Sequence, residues 1–506
     1  MAGATDTDRA SPFGEDQRDG YNTQRRIALW AVTGTALILS EIAAVLHFIS
    51  TLIGDFITSQ FWPGTVGLDL ANDAAAATAD LPTLLSREVI PNAGYWNGEE
   101  WVKTFSALDP ILRPLVELGG GTYNGLSPAV SWGLRVLLVY GWAFALLAWI
   151  IWGYRLYRRH YRVADWTPRD DIVDRFSSHN WGITGFVIVF LFVVMAVFAP
   201  TLGPTTVQSN MVNTYDPVHR FKYWDEEAGE VNSILPGPAN SNSQSVGDSP
   251  KVAPMTYDDY GRFHPFGTDP KGQDLFTFIA AGSRISLIIG LLAVGLSALF
   301  ATTFALVSAY YKDRVDLGFV LLSDAVMAMP QLLLLIMLSY VLADTWLGKI
   351  YSGALVLALI FAFTGWTYMW RSLRGPALQV AEREWIDAAR SFGQRPRTIM
   401  RKHMFPYIVG YLLIYGSMTL GGAIIAIAGL SYLGLGVAPP TPEWGRAINM
   451  GQPYVNTGSW YISLIPGVLI TIVVTGFNAL GDGIRDAIDP QSDSATGEAA
   501  GRGGGA

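Results

Sequence analysis

The chain has 506 residues, half of them hydrophobic and only 15% charged, with a net charge of −8, six histidines and no cysteine. Soluble domains carry roughly 25% charged residues, and the absent cysteines exclude a disulfide, a thiol nucleophile or a thiolate metal site. The scattered histidines form neither an HExxH helix nor a metal-spaced cluster.

Other catalytic patterns are missing too. Gly348-Lys349 lacks the leading glycine and the following hydroxyl residue of a phosphate-binding loop. There is no Gly-x-Ser-x-Gly elbow. The expectation is a chain with no catalytic residues, cofactor or metal of its own, and no nucleic-acid partner.

Residues 1–26 read as a polar, disordered cytoplasmic tail, with no cleavable signal before the first apolar run, which follows Arg25 and Arg26. Long runs without charge then recur, at 285–311, 325–343 and 350–370 among others. A bilayer core of about 30 Å needs about 20 apolar residues per helix. Eight spans are predicted: 27–53, 132–154, 181–200, 285–310, 325–343, 350–370, 407–430 and 460–480. The fold class is an all-α membrane protein.

Residues 27–180 form an extension of two spans joined by an external loop. Within it, Leu81–Val89 and Trp101–Leu118 are predicted as small amphipathic helices. Glu41 and His47 fall on different faces of the first span and are expected to be satisfied within the bundle. Residues 181–490 form the core, interrupted by an irregular external insertion at about 200–265. Pro330 predicts a static kink in the fifth span. Residues 491–506 read as a flexible tail.

Arginines set the orientation. They precede the first span (Arg25, Arg26), follow the second (Arg155, Arg158, Arg159, Arg162) and crowd the connection between the sixth and seventh. Cytoplasmic loops carry such an excess, so both termini are expected inside. The long outer segments are acidic, nine Asp/Glu against three Lys/Arg over 54–129 and ten against five over 200–283.

The most informative stretch is Glu382–Pro406, EREWIDAARSFGQRPRTIMRKHMFP. Its first part, Gln379–Ser391, predicts a helix with Trp385, Ala388, Ala389 and Phe392 on one semi-apolar face. Gly393 is expected to end it. A second basic helix, Pro396 to His403, should stop near Pro406. By these residues alone the segment suits either a groove in another protein or anionic lipid headgroups.

Asp387-Ala388-Ala389, Gly393 and Pro406 in that spacing resemble the EAA loop of ABC importer permeases, with Asp387 where the family usually has Glu. His403 resembles the peptide-permease branch; Phe405 and Tyr407 depart from it. Further boxes are similar to the C-type dipeptide/oligopeptide permeases. They are His264-Pro265-Phe266-Gly267-Thr268-Asp269 with Gly272-Gln273-Asp274, Pro439–Gly445 around Glu443-Trp444, and Phe477–Pro490.

The resemblance covers about 181–490 and implies six core spans plus two additional N-terminal ones. It implies a permease subunit of an ATP-driven, binding-protein-dependent importer in the cell membrane, with peptides as the implied cargo and nickel or sugars as alternatives within the family. Implied partners are a second permease chain, two cytoplasmic ATPase subunits that bind the ATP, an extracellular solute-binding protein, and membrane lipid. Glu384, Asp387, Ala388, Ala389, Gly393, Arg397, His403 and Pro406 are the implied coupling residues. The rival class, a secondary transporter or channel, would need paired charges at mid-membrane, and the core spans offer almost none.

Overall fold

The computed structural model describes residues 23–41, 94–102, 114, 125–162, 167–248, 250–349, 353–437 and 439–488. Residues 23–41 are helical. α1 (Pro128–His160) is followed by the short α2 (Pro168–Ser178), then α3 (Asn180–Val197) and α4 (Leu275–Tyr311). α5 (Asp313–Met327) and α6 (Gln331–Ala343) form a pair bent by 79°. α7 (Ala354–Ala381) leads into the Arg-rich loop, which holds α8 (Glu384–Ser391) and α9 (Pro396–Ile399). α10 (Phe405–Tyr432), the short α11 (Trp444–Gly451) and α12 (Tyr461–Ile488) follow.

Among the described residues, six helical paths are long and apolar enough to cross a bilayer: α1, α3, α4, α7, Pro396–Tyr432 and α12. The bent α5–α6 pair would make a seventh. The chain is a mostly helical, multi-pass membrane protein. Of the first expected span, 27–53, the part up to residue 41 is helical and the rest lies outside the described residues, as do His47 and Leu81–Val89.

Small residues set the packing, as expected where no hydrophobic effect drives helices together and close backbone approach matters instead. α3 crosses α12 at Gly182, Gly185, Gly476 and Gly483; a Cβ on Gly185 would collide with the Leu480 amide. α4 and α7 meet along a buried seam where Trp366 stands edge-to-face on Phe304 at 5.0 Å and Trp370 is 1% exposed. The extension interlocks in the same way. Trp30 and Trp149 stack at 4.8 Å, and each indole N–H donates to the other's carbonyl, at 3.2 and 2.8 Å. Gly34 and Gly153 leave the hollows that receive those rings. α1 docks on the core through Val139, Ala143, Val194, Phe198 and Leu202.

Four expectations change. Pro330 does more than kink a span: it separates α5 from α6, because its ring has no N–H to continue the helix and it disfavours helical backbone just before it. The insertion is more regular than its composition implies. Phe221–Asp225 (β3 once the preceding hairpin of Tyr95–Trp96, β1, and Trp101–Val102, β2, is counted) pairs antiparallel with Glu230–Ile234 (β4). A third pair joins Thr256–Tyr257 (β5) to Phe263–His264 (β6). Trp101 therefore stands in a strand, not in a helix. Finally, the helical path that holds the seventh apolar run starts at Pro396, within the loop, and Pro406 does not stop the preceding helix. A wide π turn, Met400–Met404, carries the path into α10, where Pro406 occupies the first turn and needs no N–H partner.

Candidate functional site

α8 is a short helix laid across the end of the bundle. Its start carries Glu384 and Asp387, which favour the positive N-terminal end of the helix dipole. Its end is a Schellman turn: Gly393 N–H donates to the Arg390 carbonyl at 2.9 Å and Gln394 N–H to the Ala389 carbonyl at 3.2 Å. Gly393 sits at φ +70 with open space around it, so glycine answers a backbone need there and not a steric one.

The helix has two faces. Ile386, fully buried, and Ala389 point into the chain's own core with Ile399 and Met404. Glu384, Asp387, Ala388 and Phe392 face out, Phe392 at 86% exposure. The sequence expectation put Ala388 and Ala389 on one outward face together with Trp385 and Phe392; in the structure Ala389 belongs to the anchor and Ala388 to the surface.

Three contacts hold this arrangement. The Arg390 guanidinium donates to the Tyr310 carbonyl at 3.2 Å, lies over the Tyr310 ring at 4.6 Å and pairs with Asp387 at 3.3 Å. Trp385 stacks on Tyr407 at 5.5 Å. His403 Nε2 and Gln394 Oε1 lie 3.0 Å apart, closing the turn between α8 and the π segment. Arg397 is exposed on α9, and Pro406 is exposed at the start of α10. Thus Glu384, Asp387, Ala388, Gly393, Arg397 and Pro406 share the outer surface of the loop, while Ala389 and His403 secure it. Ile386 and Tyr310 were missed by sequence reasoning. Ile386 precedes Ala389 by three residues, the spacing of one helical face, and could have been read as the anchor.

Beside the loop, ion pairs fasten α5 to α7. Arg374 Nε donates to Asp316 at 2.7 Å, Arg371 pairs with Asp324, and Arg371 Nε donates to Ser323 at 3.1 Å. Lys312, between α4 and α5, reaches Glu382 at 3.6 Å.

At the opposite end of α4, the His264–Asp274 and Pro439–Gly445 boxes fold into a cap. Asp274 accepts from Thr277 N–H at 2.7 Å and starts α4. Its other oxygen lies 2.9 Å from His264 Nδ1, while His264 Nε2 lies 3.5 Å from Asp258. Burial opposes charge on this imidazole, but its hydrogen bonds to Asp258 and Asp274 outweigh it and hold its pKa above the ordinary value. Tyr461 Oη lies 2.9 Å from both the Val252 and Thr268 carbonyls. Trp444 Nε1–H donates to the Ile279 carbonyl at 2.7 Å. Desolvation raises Asp269 to about 6 and Glu443 to about 7, with Arg446 the charge near both.

Comparisons with known proteins place the helical core in a family of membrane components. Residues 301–493 match the family described as binding-protein-dependent transport system inner membrane component, and residues 167–218 match the N-terminal TM domain of oligopeptide transport permease C. The oligopeptide transport permease OppC of Bacillus subtilis is 30% identical over 321 residues, which is 63% of this chain and 89% of that one. The chain belongs to this permease family.

A second permease of Bacillus subtilis, the dipeptide transport protein DppC, is 36% identical over 228 residues, 45% of this chain and 69% of its own. The glutathione transport permease GsiD of Escherichia coli is 29% identical over 325 residues, 64% of this chain and 91% of its own. A solved structure of the MetNI methionine ABC transporter aligns with a TM-score of 0.34 at 15% identity, over 42% of this chain and 96% of that one. Residues 1–166 of this permease lie outside both family matches.

Proposed function

We propose that this permease is one half of the translocation path of a peptide importer, and that α8 is the point at which separate ATPase subunits drive it. The carrying observation is the two-faced α8. Ile386 and Ala389 root it in the bundle while Asp387, Ala388 and Phe392 stand in solvent. A rooted helix with a protruding tip moves as a rigid part when the tip is gripped, and the Arg390–Tyr310 contact leads from it to the end of α4. Exposed arginines 383, 395 and 397 add at most about 1 kcal/mol each to docking, since water screens them.

In this reading eight spans cross the membrane, both termini lie in the cytoplasm, and the cap faces outward toward a solute-binding protein. The two N-terminal spans are an addition to a six-span core at 181–490. A second permease chain covers the apolar side of α5 and α6, where Leu317, Leu321, Leu332, Leu333, Met337 and Val341 are exposed in the isolated chain. In this reading the nucleotide is bound by the ATPase partners, in keeping with a sequence that offers no phosphate-binding loop motif. Peptides are the cargo favoured by the names of the relatives, which transport oligopeptides, dipeptides and glutathione.

The test is co-purification of the assembled importer. Ala388→Asp places a charge on the exposed tip, leaves Ile386 and Ala389 in place, and should release the ATPase subunits while the second permease stays bound. An ATPase retained at wild-type stoichiometry by Ala388→Asp and by Phe392→Asp overturns docking through α8.

A further inference from the structure

At the end of the bundle away from the Arg-rich loop, the extension and the insertion enclose a cavity of about 630 Å³. Its walls come from parts far apart in sequence: the β1–β2 hairpin, the start of α1, residues 204–210, β3 and the turn before β6. Most of these parts fall outside the span-forming core.

The charge of its lining is one-sided. Arg135, His219, Arg220, Lys222 and Arg262 face it, and no aspartate or glutamate does among the described residues. The surrounding segment 200–283 holds ten acidic residues against five basic ones, and three of those five line this cavity. An acidic surface that gathers its cations into one hollow is arranged for an anion.

Hydrogen bonding agrees. Arg262 is fixed on two sides, Nε donating to Asp258 at 2.7 Å and Nη1 to the Asn240 side-chain oxygen at 2.8 Å, with Phe221 under the guanidinium at 5.2 Å. Its Nη2 is buried without a partner, and so is the indole N–H of Trp132 on the neighbouring wall. A buried donor without an acceptor costs about 1–3 kcal/mol, a cost that a bound acceptor removes. Arg135 is held rigidly by the Gly203 carbonyl at 2.8 Å. Lys222 lies 5.5 Å from the Tyr95 ring, and aromatic side chains form much of the remaining wall.

We infer that this cavity binds an oxyanion of the phosphate class carried on an apolar body. Donors approach from several walls, which suits a tetrahedral group with acceptors on every side better than a planar one. The aromatic walls suit the apolar remainder. Two sources share this chemistry: the headgroup of an acidic phospholipid, reached at the level where α1 begins and α3 ends, and a soluble phosphate-bearing molecule. The site lies outside the loop invoked for coupling and stands whichever side of the membrane it faces.

The experiment uses the full chain in detergent with radiolabelled inorganic phosphate as the probe. Saturable binding should weaken about tenfold in Arg220→Glu/Lys222→Glu, the worth of one charge-assisted contact or more, and should persist in Arg220→Lys/Lys222→Arg. Both residues are exposed, so the fold tolerates either change. Native mass spectrometry of the same preparations separates the sources. Retention of phosphatidylglycerol over phosphatidylcholine, reversed by phosphate, supports the site and assigns a lipid; phosphate binding without that preference supports it and assigns a soluble ligand. Phosphate binding that is absent, or equal in wild type and the charge-reversed variant, overturns it.

Discussion

The Arg-rich loop and the cap stand at opposite ends of α4, and both are made of motif residues rich in charge, glycine and proline. They use those residues in opposite ways. In the loop, Asp387, Ala388 and Gly393 face water, and the helix is secured by apolar anchors beneath them. In the cap, His264, Asp258, Asp269, Asp274 and Glu443 are themselves the buried parts. Exposed ion pairs are worth little, whereas a buried charge deprived of its partner is costly. One region therefore presents a surface and the other fixes a shape.

Substitutions separate the two, in descending order of effect. Gly272→Ala in the cap should cost about 4 kcal/mol or more, measured as lost thermal stability in detergent. A Cβ there overlaps the Asn240 carbonyl, and φ is +73. His264→Ala should cost about 3 kcal/mol by leaving the buried Asp274 carboxylate without its charged partner, while Asp258 keeps Arg262. Because the folded pKa of His264 is raised, its contribution is complete below the unfolded value of about 6.5 and is lost as pH rises through the folded value. The gap between wild type and His264→Ala should accordingly narrow in alkaline buffer. A constant gap would show that the imidazole acts by packing alone.

Glu443→Gln should have the opposite sign. The raised pKa means that the buried carboxylate favours folding when protonated, below about 4.5, and weakens it as pH climbs to about 7. The variant keeps the oxygen that accepts from Arg446 N–H at 3.1 Å and should gain about 2 kcal/mol at pH 8. Gly393→Ala in the loop should cost only about 1 kcal/mol, the conformational term alone. Ala388→Asp should leave the melting curve unchanged within about 0.5 kcal/mol, although it is expected to release the ATPase. If Gly393→Ala proved as damaging as Gly272→Ala, the contrast between surface and scaffold would fail.

Much of this was legible in the sequence, and for physical reasons. A charge-free run such as 285–311 has few alternatives to a spanning helix, and Gly393 had to end α8 because the turn after it needs positive φ. The box at His264–Asp274 was readable as a turn but not as a buried triad: Asp258 and His264 come together only when β5 pairs with β6. Likewise the face of α8 that turns inward is chosen by Ile399 and Met404, which return from a later segment. Pro330 was noticed, yet a proline alone does not distinguish a kink of a few degrees from a break of 79°. The β3–β4 hairpin was hidden because Tyr223 packs across the chain on Tyr260 rather than on its sequence neighbours.

The paired tryptophans of the extension bear on the order of assembly. Trp30 and Trp149 are separated by 119 residues. At about 5–20 residues per second of synthesis, the earlier helix waits for about ten seconds before its mate is made. Throughout that interval the hollow at Gly34 has no ring to fill it, and the Trp30 indole has no carbonyl to reach. The nascent amino-terminal helix is thus a temporary guest of lipid or of the insertion machinery. Since the chain is naturally free of cysteine, a single reactive thiol beside Gly34 would report when that guest status ends.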